Sequence, residues 1–179
     1  MKRVHYTDSY LINPQHPITI NLVGAGGTGS QVLTCLARLD VTLQALGHPG
    51  LFVTLYDPDE VTEANIGRQL FSYSDFGLNK AVCLISRINN FFGNDWKAVP
   101  HLFPSSARES KKENVANITI TCTDNVKSRL DMWKFLKAVR DIGSYTDYKT
   151  PLYWMDFGNS QTTGQVLLGT IQKKISTDF

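Results

Sequence analysis

ITINLVGAGGTGSQVLTCLA, residues 18–37, joins a strand to a helix through a glycine loop. Ile18–Val23 is short, apolar and rich in β-branched residues, which predicts a buried strand. Gly24, Gly26 and Gly29 follow at G-x-G-x-x-G spacing, with Gly27 as an extra glycine. The first permits a tight turn off the strand. The second lets backbone approach a phosphate, and the third permits close helix–strand packing. Helical patterning begins at once: Val32, Leu33, Leu36 and Ala37 can share one face, and the pattern runs to Leu46 with Gly47 as a C-cap. The free N–H groups and positive dipole end of that helix would face an anion.

Leu51–Tyr56 reads as a second strand with Asp57 at its end, where a carboxylate can accept from ribose hydroxyls. Asp57 stands farther from Gly29 than the roughly 20 residues usual in dinucleotide-binding units, which argues against a plain NAD site. Further strands are predicted at 97–102, 118–122, 152–157 and 165–171, the last two antiparallel around a polar loop at 158–164. Helices are predicted at Lys80–Phe92, with Val82, Ile85, Ile88 and Phe92 as its apolar stripe, and at 126–139, with Val126, Leu130, Trp133 and Leu136 as its stripe. This alternation predicts an α/β fold: a Rossmann-like, mainly parallel sheet with helices on both faces and antiparallel strands toward the C-terminus. Ligands in such sheets lie beyond the carboxyl ends of the strands, and Gly24, Asp57 and Asp124 stand at three of those ends. Taken singly, Arg68 and Lys80 read equally as solvated surface cations. Asp124 reads as a helix N-cap or a metal ligand, and Arg129 as a helix ion-pair partner or a site residue.

In combination these residues resemble the ThiF/MoeB/HesA family, the adenylating enzymes related to ubiquitin-activating enzymes. The resemblance rests on GAGGTGS at 24–30, YDPDEV at 56–61, Asn65, Arg68-Gln69, GLNK at 77–80 and CTDNVKSR at 122–129. PLYWMDFGNSQTTGQVLLG, residues 151–169, resembles the later strands of the same domain, most of all in the ThiF-like proteins of the PRTRC gene system. The resemblance implies ATP-dependent adenylation of the C-terminal carboxylate of a small ubiquitin-like or sulfur-carrier protein, with release of pyrophosphate. It implies that Gly24, Gly26, Gly27 and Gly29 cradle phosphate and that Asp57 holds ribose. Asn65, Arg68 and Lys80 are expected on the triphosphate, with Gln69 supporting that loop and Asp59 and Asn125 as further nucleotide ligands. Asp124 is expected to hold Mg²⁺, and Arg129 to orient Asp124 or the incoming carboxylate. Arg68, Lys80 and Asp124 form the expected catalytic set. A homodimer is implied as well, with Arg3 as the one arginine before the glycine loop that could reach a second site.

Two features depart from the family pattern. Its structural zinc site uses paired Cys-x-x-Cys motifs, whereas this chain has Cys35, Cys83 and Cys122, widely separated, so zinc is not expected. All three read as buried small hydrophobes. No cysteine follows Cys122 to take an acyl group as a thioester. The family domain continues past the strand at 165–171, so the end at Phe179 reads as a truncated or shortened domain.

At 179 residues, one domain spanning 1–179 is expected. No apolar run reaches the ~18 residues that suggest a bilayer span, and the start lacks a signal-peptide apolar region. Unpaired cysteines fit a reducing cytoplasm. A formal charge of +2 is too small to imply a nucleic-acid partner, and the basic stretch 108–112 reads as a solvated loop or a docking surface. Two other functions fit parts of the pattern: a catalytically idle nucleotide- or partner-binding scaffold of the same fold, and an NAD-dependent oxidoreductase, which leaves Arg68, Gln69, Lys80 and Asp124 without a role.

Overall fold

A computed structural model describes residues 5–103, 114–142, 149–160 and 162–171. Its elements run α1 (Ser9–Ile12), β1 (Ile18–Val23), α2 (Gly27–Ala45), β2 (Leu51–Tyr56), α3 (Lys80–Phe92), β3 (Lys97–Val99), β4 (Ile118–Thr121), α4 (Val126–Ile142), β5 (Tyr153–Asn159) and β6 (Gly164–Thr170). Short 3-10 turns at Glu63–Asn65 and Tyr73–Asp75 punctuate the link from β2 to α3. The six strands form one sheet in the order β3-β2-β1-β4-β5-β6. All neighbours are parallel except β5 and β6, which pair antiparallel. The chain leaves β1 toward β2 on one side and returns to β4 on the other, so a crevice opens above Val23, between Tyr56 and Thr121 in register.

Apolar alternation in the strands feeds two cores. Ile18, Ile20 and Leu22 pack with Leu33 and Ala37 of α2 and with Leu84, Ile85 and Ile88 of α3. On the opposite face Val23 and Tyr56 pack with Met132, Phe135, Leu136 and Val139 of α4. The sheet is thus covered on both faces, and no helix among the described residues is long and apolar enough to cross a membrane.

Several expectations need correction. The buried stripe of α4 is Met132, Phe135, Leu136 and Val139, while Val126, Leu130 and Trp133 are exposed. In α3, Val82 is exposed and Ala81 and Leu84 take its place beside Ile85 and Ile88. Cys35 is exposed and Cys122 only partly buried, and Cys83 alone is a buried thiol. β3 stops at Val99, because Pro100 has no N–H to extend the ladder. Gly158, Asn159 and Gly164, expected in a polar loop, are instead the ends of β5 and β6, and Ser160 N–H donates to the Thr163 carbonyl at 2.7 Å. Arg3 and the basic stretch 108–112 lie outside the described residues.

Candidate nucleotide site

The glycine loop is shaped by two different demands. Gly24 sits at φ +99°, and a Cβ there would stand 2.9 Å from the Cys122 carbonyl oxygen. A Cβ at Gly29 would overlap the Gly24 carbonyl, so helix α2 can pack this close to β1 only with glycine. Gly26 and Gly27 are under no such pressure. A Cβ at Gly26 would meet only Gln69 Nε2 at 3.9 Å, and one at Gly27 nothing within 4 Å. Both line a cavity of about 1210 Å³, so bare backbone there makes room for something other than the protein itself. Gly26 is the N-cap of α2 and has no side chain to satisfy the first N–H groups of the helix. Those donors, with the positive end of the helix dipole, suit an anion.

Asp57 enters the cavity from the end of β2 and braces the loop beside it. Its Oδ2 accepts from the Ala25 amide at 2.6 Å and its Oδ1 from the Asp59 amide at 2.9 Å. Burial pushes its carboxyl above the usual carboxylate range, against the pull of those two amides. Each oxygen retains a lone pair for a ligand hydroxyl. The sequence did not single out Asn79, which ties this corner together. Its Nδ2 donates to the carbonyls of Asp57 (3.0 Å) and Asp59 (3.1 Å), and its Oδ1 caps α3 through Val82 N. An Asn just ahead of the helical stretch at Lys80 signals its capping role, while its ties to Asp57 and Asp59 leave no local signal.

Lys80 opens α3 on the cavity wall with its side chain almost fully buried, and Nζ pairs with Asp59 Oδ2 at 3.1 Å. Arg68 is exposed on the same wall, anchored by Nε donating to the Ala64 carbonyl at 3.2 Å. Gln69 lies beside it, and its Oε1 is buried without a hydrogen-bond partner. Asn65 is not on the cavity wall. Its Oδ1 accepts from the Thr62 amide and hydroxyl, both at 2.9 Å, which closes the 3-10 turn preceding Arg68.

The third wall follows β4. Asn125, not Asp124, caps α4, its Oδ1 accepting from Ser128 N at 2.7 Å. Asp124 is therefore exposed on the cavity wall with no capping duty. One hard carboxylate oxygen suits Mg²⁺ when phosphates and waters complete the shell. No group of three or more His, Cys, Asp or Glu that could hold a metal occurs among the described residues. Arg129 is not on the cavity wall either. It lies behind Asp124, paired with buried Asp156 at 3.2 Å and donating through Nη2 to the Thr123 carbonyl at 2.9 Å. Thr123 Oγ1 is a further buried oxygen without a partner. An aromatic side completes the site: Phe103 lines the cavity and meets Tyr56 edge-to-face at 4.8 Å. The cavity thus combines a bare helix N-terminus, three cations (Arg68, Lys80 and Lys127), the Asp57 carboxylate and the orphaned oxygens of Gln69 and Thr123, a lining chemically suited to a polyanion that also carries hydroxyls.

The fold of the chain is similar to that of several solved structures. The tRNA N6-threonylcarbamoyladenosine dehydratase TcdA of E. coli in complex with AMP is 21% identical, with a TM-score of 0.57, over 78% of this chain and 50% of that one. The same enzyme in complex with ATP is 23% identical, with a TM-score of 0.53, over 70% and 47%. PaaA is 18% identical, with a TM-score of 0.56, over 80% and 38%. This chain therefore spans about half the length of these relatives or less. No curated protein matches it. The sequence model of the ThiF family matches residues 16–168, which include the glycine loop, every cavity wall, all of β5 and most of β6, and the chain belongs to the ThiF family.

Proposed function

We propose that this chain binds Mg·ATP in the cavity and adenylates the C-terminal carboxylate of a small ubiquitin-like or sulfur-carrier protein. A carboxylate oxygen attacks the α-phosphorus, the bond to the bridging oxygen of the β-phosphate breaks, and pyrophosphate leaves with the electron pair. The observation that supports this reading is that Gly26 and Gly27, which need no glycine for the protein's own packing, line the same cavity as Arg68 and Lys80. Such a transfer needs little covalent help; it needs alignment and positive charge where negative charge accumulates. The α2 amides cradle the phosphates, Arg68 and Lys80 neutralise them, and Asp57 holds the ribose. Asp124 is the residue to hold Mg²⁺, which screens the phosphate charge. Lys80 is already paired with Asp59, so triphosphate binding draws its ammonium away from an exposed carboxylate.

The chain is expected to work as a homodimer in the cytoplasm. The ATP- and AMP-bound relatives are dehydratases of a modified tRNA nucleoside, so the carboxylate adenylated need not be that of a protein. A second reading, an idle nucleotide-binding scaffold, draws on the Lys80–Asp59 pair, which already occupies one of the catalytic cations. Calorimetric titration with Mg·ATP, with NAD as control, separates these readings from an oxidoreductase. Binding of ATP that is lost in Asp57→Ala supports the site. Carrier-dependent exchange of labelled pyrophosphate into ATP supports catalysis, and its absence with ATP bound favours the scaffold. Binding of NAD alone overturns both.

A further inference from the structure

Arg68 and Gln69 sit on an irregular link between β2 and α3, yet the proposed site needs them fixed to within a fraction of an ångström of Lys80. Most of that link is held by local turns. Gln69 N–H donates to the Asn65 carbonyl at 2.9 Å, Phe71 N–H to the Gln69 carbonyl at 2.8 Å, and Gly67 N–H to the Phe71 carbonyl at 3.3 Å. Val61 and Phe71 anchor it in the core, and its polar tie next to Gln69 comes from α3. Arg87 Nη1 donates to the Leu70 carbonyl at 2.7 Å, and Nη2 donates to Asp75 Oδ2 at 2.7 Å. Asp75 is buried, and the same Oδ2 accepts from the Ser72 amide at 2.7 Å, while Oδ1 accepts from the Cys83 thiol at 3.1 Å. Lys80, Cys83 and Arg87 follow at helical spacing, so one face of α3 carries both the cavity lysine and the groups that grip the link.

We propose that Arg87 and Asp75 form a clamp that positions Arg68 and Gln69 against the glycine loop, with α3 setting their distance from Lys80. Arg87 lines no part of the cavity and touches no ligand; it acts through the Leu70 carbonyl, next to Gln69. A guanidinium fork can hold a carbonyl and a carboxylate at once, which an ammonium cannot do with the same geometry. The effect on nucleotide binding rests on the function proposed above; the clamp itself does not.

The test uses the full chain with Arg87→Ala, Arg87→Lys and Asp75→Asn. Arg87 is half-exposed, so its variants are expected to fold. The first readout is native-state amide hydrogen exchange over residues 67–75. The clamp predicts that Arg87→Ala and Asp75→Asn speed exchange there by about tenfold or more, the equivalent of one charge-assisted hydrogen bond, with β1 and α2 unchanged. Arg87→Lys is expected to restore little of the protection. The second readout is Mg·ATP affinity in a cycle of Arg87→Ala with Arg68→Ala. Acting through Arg68, Arg87→Ala is expected to weaken binding by about tenfold in the wild-type background and by less than about threefold in Arg68→Ala. Unchanged exchange over 67–75, or equal acceleration across the sheet, overturns the clamp. Additive losses in the cycle overturn its positioning role. Failure of the wild-type chain to bind Mg·ATP overturns the proposed function and the clamp's role in nucleotide binding, and the exchange result still decides whether the clamp exists.

Discussion

Gly29 and Gly27 stand two positions apart and answer to different partners. A side chain at Gly29 collides with the Gly24 carbonyl, which cannot move without pulling α2 off β1. Gly29→Ala is expected to lose about 3 kcal/mol in urea unfolding, at the upper end of overpacking costs. Gly27 opens α2 with open space around it, so Gly27→Ala is expected to stay within ~1 kcal/mol of wild type, alanine being the better helix former. Its loss should appear in Mg·ATP titration, as weaker binding where a methyl meets phosphate. Equal binding by Gly27→Ala would remove the main support for the cradle. The thiols separate as sharply. Burial, aided by the carboxylate of Asp75, pushes the Cys83 thiol up to about 11. Burial and the charge of Asp156 push Cys122 up to about 12. Alkylation of the native chain at pH 8 should therefore label Cys35, which is exposed, and spare the other two until the protein unfolds. Mass spectrometry of tryptic peptides reads this directly. The sequence could place all three cysteines on apolar stretches but could not rank their exposure, because Cys35 sits at the edge of the α2 stripe rather than in it.

Helix α4 carries two overlapping apolar stripes. Val126, Leu130 and Trp133 form one, and Met132, Phe135, Leu136 and Val139 the other. Helical spacing put Val126, Leu130, Trp133 and Leu136 on one stripe, but periodicity cannot say which face meets the sheet; the choice is made by what β1 and β2 present to the helix. The structure turns the second stripe inward against Val23 and Tyr56. Leu136→Ala is thus expected to cost about 2–5 kcal/mol and Leu130→Ala less than about 1 kcal/mol, measured by denaturant midpoint with unchanged m-value. A reversed order would mean that the helix is rotated about its axis. Strand positions were far easier to read. β1 and β2 run between the residues expected, since each is a short apolar run bounded by glycine, proline or aspartate. Their carboxyl ends locate Gly24 and Asp57, so that half of the candidate site was available from local pattern alone. Asn79, Asp75 and Arg87 were not. Their partners lie 12 to 22 residues away in a link without periodicity, where only the folded chain brings them together.

Stability of the whole molecule against acid tests whether the link between β2 and α3 belongs to the cooperative unit. Burial alone would disfavour ionisation of Asp75, but the Ser72 amide, the Cys83 thiol and the Arg87 guanidinium outweigh it and hold the carboxyl well below the usual carboxylate range. A carboxyl depressed in the folded state contributes stability that is fully present above its unfolded value of about 3.9 and is lost as pH falls through the folded value. Asp57 works the other way. Burial raises its carboxyl, so the stability of its neutral form is present below that unfolded value and fades as pH rises through the raised one. Between these two groups the slope of stability against pH changes sign across the acid range. Asp75→Asn keeps the shape and removes the charge. It is expected to cost about 2 kcal/mol near pH 7, the scale of hydrogen bonds to a charged group, and progressively less below pH 4. Urea unfolding of both proteins from pH 7 to pH 2 measures the gap. If the gap persists undiminished at pH 2, the Asp75 charge contributes nothing to folding, and the packing of Val61, Ile66 and Phe71 holds the link on the core. A gap that closes on acidification makes the β2–α3 link part of the same unfolding event as the sheet, with Arg87 and Asp75 as its electrostatic hinge pin.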